Sequence, residues 1–74
     1  MAEDPLAQAE RHVREGEQRV AEQIDRLAQM KADGDSAHLI AAAETVLATL
    51  QRTLELSHEH LAFEQQKRQA PEEG

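Results

Sequence analysis

Lys31-Ala32-Asp33-Gly34-Asp35-Ser36 interrupts an otherwise continuous run of helix-forming sequence, and its reading decides the fold. Gly34 suits the left-handed position just past a helix C-terminus, where a Cβ would clash. Asp35 or Ser36 can cap the next helix by accepting from its first unpaired N–H groups. So short a connection folds the two flanking helices back on each other as antiparallel neighbours.

Upstream, Asp4-Pro5 reads as a helix start, with Asp4 as N-cap and Pro5 where its missing N–H costs nothing. The first helix is expected over about 5–32, some 40 Å at 1.5 Å per residue. Apolar or small residues recur at Leu6, Ala9, Val13, Gly16 and Val20, a helical period. The stripe then shifts by one, continuing through Ile24, Leu27 and Met30. Gln23 falls on the seam opposite Leu47, where it either sets register or rotates outward as Ile24 turns in. Glu10/Arg14, Glu15/Arg19 and Glu22/Arg26 are acid-before-base pairs four apart, worth about 0.2–0.5 kcal/mol each.

Downstream, the second helix is expected over about 36–68. Its seam is a heptad: Ile40, Ala43, Leu47, Leu50, Leu54, Ser57, Leu61. Beside it runs a second row, Leu39, Ala42, Val46, Thr49, Leu56 and Phe63. A single helix partner needs only the narrow seam, so this row is surplus to an isolated hairpin. The predicted architecture is all-α: an antiparallel two-helix hairpin over 5–69 with its turn at 33–35, dimerising into a four-helix bundle. The expected dimer interface is Leu39, Val46, Leu50, Leu56 and Phe63. Residues 1–4 are expected to fray. Pro71 cannot continue the helix, so 70–74 reads as a disordered tail. Folding the chain about residues 34–35 predicts a ladder with Gly16 against Thr53 and Leu54, Val20 near Leu50, and Ile24 near Val46.

Composition narrows the function. The 74 residues form one small domain with a marginal core, and chains of this size lean on disulfides, a metal or association. There is no cysteine, which removes disulfides and thiolate sites and points to association. Fifteen acidic against eight basic side chains give a charge of −7, which repels nucleic acid and anionic lipid. Phe63 is the one aromatic residue, so no base-stacking platform exists. The longest apolar run, Leu39 to Ala43, is far short of a membrane span, and the charged first thirty residues lack a leader-like apolar segment. Cytoplasm is the expected address.

Catalytic patterns are absent from the sequence. Ser36 and Ser57 lack a triad-like setting, and Gly16, Gly34 and Gly74 stand apart rather than forming a phosphate loop. The expectation is a non-enzyme without a cofactor. Gly16 reads as a site of close helix approach filled by Leu54, with a crevice or hinge as the alternative. The metal reading rests on His12, His60 and Glu64, which could assemble on one side of the hairpin. Glu55-Leu56-Ser57-His58 also has the Glu-x-x-His spacing of di-iron bundles, although the first helix offers no seam carboxylate to complete it. His38 reads as a solvated surface residue.

His12-Val13-Arg14-Glu15-Gly16-Glu17, followed by Gly34 and then Leu47-Ala48-Thr49-Leu50 with Thr53-Leu54, carries a resemblance. Over most of 12–61 the chain resembles short helical-hairpin proteins of unknown function from alphaproteobacteria of the rhizobial type. Those share a His-Val-x-x-Gly-Glu opening and a glycine turn. The resemblance implies a bacterial cytoplasmic origin and transfers no functional residue. The functional expectation is a non-catalytic protein–protein interaction module, a homodimeric bundle of regulatory role. A metal-binding bundle using His12, His58 or His60 with Glu55, Glu59 or Glu64 is the alternative.

Overall fold

A computed structural model describes residues 3–69; the expectations for Met1-Ala2 and for 70–74 lie outside them. Among the described residues the regular structure is two helices, α1 (Pro5–Ala32) and α2 (Ala37–Gln69), packed side by side.

Both ends of the turn are built as the sequence predicts. Gly34 has φ 73°. Its N–H donates to the Lys31 carbonyl at 3.2 Å, and the Asp35 N–H donates to the Met30 carbonyl at 3.0 Å. Those two bonds form a Schellman motif, which satisfies carbonyls that the end of α1 would otherwise leave open. Ser36 then starts α2, its Oγ accepting from the Leu39 N–H at 3.2 Å. At the far end Asp4 caps α1, its Oδ1 accepting from the Ala7 N–H at 2.9 Å. The same oxygen lies 3.4 Å from Arg68 Nη2, so one carboxylate caps α1 and ties it to the last turns of α2.

Glu3 pairs with Arg11 at 2.7 Å, and Arg11 also reaches Glu15 at 3.4 Å. The three expected acid-before-base pairs are not the ion pairs observed. Exposed side chains choose among several partners of nearly equal energy, so spacing alone does not select one.

α1 packs through Leu6, Ala9, Val13, Gly16, Val20, Gln23, Leu27 and Met30, the residues that are buried or half-buried at unbroken three–four spacing. The expected shift to Ile24 does not occur. Gln23 stays in the seam, where its Nε2 donates to the Ala43 carbonyl at 3.0 Å. Ile24 is left 48% exposed. A hydrogen bond to the neighbouring backbone is what allows the amide to occupy an apolar layer.

α2 answers with the predicted heptad, and the half-buried Glu64 continues it one step beyond Leu61. Gly16 meets Leu54: a Cβ on the glycine would lie 3.0 Å from Leu54 Cδ1. Carried along both heptads, this register sets Val20 beside Leu50, Leu27 beside Ala43 and Leu6 beside Glu64.

The core is slight. Ala9, Val13, Leu27 and Ala43 are its buried hydrophobic members. The hairpin measures 63 × 23 × 15 Å, one helix layer thick. Domains ordinarily close their core between two packed layers. A single layer leaves two broad faces open.

Candidate interaction surface

The two faces differ, and the register explains why. Lys31 and Glu44 approach to 3.7 Å across the helices, so both lie on one flank of the seam. Ile24, seven residues before Lys31, shares that flank. Val46 is two residues and about 200° beyond Glu44, which turns it to the opposite flank. Ile24 and Val46, expected as neighbours, therefore stand on opposite faces. Ile24 is a lone apolar residue among Glu17, Lys31 and Glu44, an unremarkable surface position.

The other face carries the second row of α2 as a heptad of its own. Leu39, Ala42, Val46, Thr49, Thr53, Leu56, His60 and Phe63 follow three–four spacing without a break, and all are exposed. Leu39 is 52% exposed and Phe63 56%, high values for large apolar side chains. None of the eight is Asp, Glu, Lys or Arg. Along α1 the same face is bordered by Arg19 and Arg26, which with Glu22, Gln23 and Leu50 line a shallow groove of about 240 Å³.

Four of the five expected interface residues, Leu39, Val46, Leu56 and Phe63, lie in this row. Leu50 does not. It is half-buried in the hairpin seam and forms the floor of the groove, because it belongs to the heptad that faces α1. Thr53 and His60 complete the row and were missed by reading hydropathy instead of spacing; their three–four interval from Thr49 and Leu56 is the signal.

Polar members of the row have partners within the chain. The Thr49 hydroxyl donates to the Thr45 carbonyl at 3.1 Å. His60 Nε2 lies 3.2 Å from Glu64 Oε2. Covering these residues leaves no orphaned donor from Thr49 and keeps the imidazole matched to a carboxylate. Glu64 is also 3.6 Å from Lys67 Nζ, and that ammonium sits 5.2 Å from the centre of the Phe63 ring.

The candidate metal set does not assemble as a ligand cluster. His60 and Glu64 meet, but His12 does not join them, and among the described residues no group of three His, Asp or Glu is placed to hold an ion. Among those residues, too, no helix is long and apolar enough to cross a membrane. Comparison with protein-family models, curated proteins and solved structures finds no match to this chain.

Proposed function

We propose that the chain is a non-catalytic protein–protein interaction module that works as a homodimeric helical bundle, burying the second row of α2 against another copy. The observation that carries this reading is the unbroken, formally uncharged heptad from Leu39 to Phe63, exposed on a hairpin only one layer thick. A helix with two adjacent heptad seams has the pattern of a bundle member with two neighbours, and this hairpin supplies one. The slight intrachain core gives the second contact an energetic purpose. In the dimer the opposite, charged face stays available for recruitment of a further protein, the basis for a regulatory role in a bacterial cytoplasm.

The test is the solution mass of the wild-type chain beside Val46→Glu and Leu56→Glu, with helicity followed by circular dichroism. Wild type is expected at twice the chain mass. Each variant is expected to be a monomer of reduced thermal stability, because a carboxylate would be buried in the interface without a partner. Unchanged mass in both variants would reject the row as the interface.

A further inference from the structure

The second row has an internal order that bears on how two copies meet. Read from its two ends inward, Leu39 corresponds to Phe63, Ala42 to His60, Val46 to Leu56, and Thr49 to Thr53. Large apolar residues match at the ends, a small one matches a bulky one in the next layer, branched apolar residues follow, and threonines meet at the centre. A two-fold interface brings one patch against itself with residue i on j and j on i. This row satisfies that condition when the two helices run in opposite directions.

We infer that the hairpins pair antiparallel through α2, on a two-fold axis passing between Thr49 and Thr53 at the level of Gln51. The inference rests on the dimeric reading above and specifies its partner and its geometry. Each layer then combines Leu39 with Phe63, Ala42 with His60, or Val46 with Leu56 of the other copy. Parallel pairing would instead stack Ala42 on Ala42 and Phe63 on Phe63, giving one hollow layer and one overfilled layer, both costly in a close-packed seam. It would also set His60 against His60.

The central layer has matched chemistry. Because the Thr49 hydroxyl gives its proton to the Thr45 carbonyl, its oxygen retains acceptor capacity. The Thr53 hydroxyl of the other copy can donate to it, and the two-fold axis makes this bond twice. The exposed parts of the row offer at most on the order of 600 Å² per copy, which reaches the lower limit of specific interfaces, about 1,200 Å² in total. The groove beside the row carries both signs, Arg19 and Arg26 with Glu22.

A distance measurement tests the arrangement. The chain has no cysteine, so Gln66→Cys gives a single labelling site, exposed and outside the row. With nitroxide labels and pulsed dipolar spectroscopy, the antiparallel dimer predicts an inter-label distance of about 45 Å, from the rise of 1.5 Å per residue on each side of the axis. Parallel helices 8–10 Å apart predict a distance below about 25 Å. A dimer with the short distance, or with any distance far from 45 Å, overturns the antiparallel arrangement and leaves the dimeric reading standing. A monomeric mass with no dipolar coupling overturns both. A 45 Å distance that persists in a still-dimeric Leu56→Glu background overturns the assignment to this row.

Discussion

Gly16 of α1 lies directly against Leu54 of α2, and a methyl group on the glycine would stand 3.0 Å from Leu54 Cδ1. Alanine at this position gains up to about 1 kcal/mol of helix propensity, and Leu54 must turn its flexible end aside to admit it. The two effects are expected nearly to cancel. Gly16→Val is different: its branches have to displace Leu54 and separate the helices, at a cost of about 1–3 kcal/mol. Urea unfolding of the two variants should show a near-neutral alanine and a clearly destabilised valine. Equal stability in both would mean that the helices are not in close contact at this level.

Gln23 lies two seam positions beyond Gly16 and donates to the Ala43 carbonyl at 3.0 Å. The Ala43 carbonyl that accepts its amide is in the interior of α2 and has its own helical donor, so removing the glutamine orphans nothing. Gln23→Leu is expected to leave stability within about 1 kcal/mol of wild type or to raise it, while loosening register, as when a polar seam residue is replaced by an apolar one. Thermal melting would follow the first effect, and the width of the distance distribution between one label on α1 and one on α2 of the same chain the second. A large loss of stability would show that the amide bond is a major stabilising contact rather than a device of register.

Phe63 separates an isolated hairpin from an assembled one. On a lone hairpin its ring is more than half exposed, with the Lys67 ammonium nearby, and Phe63→Ala should cost about 1 kcal/mol or less. Buried between two copies against Leu39, the ring should be worth roughly 3 kcal/mol or more on truncation. Sedimentation equilibrium is expected to show dimer association weakened by about two orders of magnitude or more in the variant.

The start of α1 has its own pH dependence. The hydrogen bond from Arg11, followed by its charge, holds the Glu3 carboxyl below its ordinary value of 4.5 and raises Arg11 in turn. A carboxylate with a lowered folded pKa stabilises the fold fully above its ordinary value, and that contribution disappears as pH falls through the lowered one. Both side chains stay open to solvent, so the consequence is local: fraying of the chain ahead of and into the first turn below pH 4.5. Side-chain carbon shifts of Glu3 should titrate low in wild type and return to the ordinary range in Arg11→Gln.

The fold was legible because its decisive features are local. Asp4-Pro5, Gly34 and Ser36 specify caps and a turn through backbone chemistry alone, and each is found where the sequence places it. The α2 seam was equally plain, being apolar at nearly every heptad position. Glu64 was not, being a polar residue at a seam position that only the interval of three and four betrays, and Gln23, which spacing sets on the seam, was left with two readings, held there or rotated outward. The face that each apolar residue takes was harder still: it needed the cross-helix register, which the Lys31–Glu44 approach and the Gly16–Leu54 contact supply. Exposed ion pairs such as Glu3–Arg11 follow from neither propensity nor spacing.

Sedimentation equilibrium of the wild-type chain over a hundredfold dilution decides whether two copies associate. Twice the chain mass is expected at the upper concentrations, giving way to the single mass on dilution together with a falling melting temperature. A helical, cooperatively melting monomer of constant mass and constant melting temperature across the whole series would contradict the dimer.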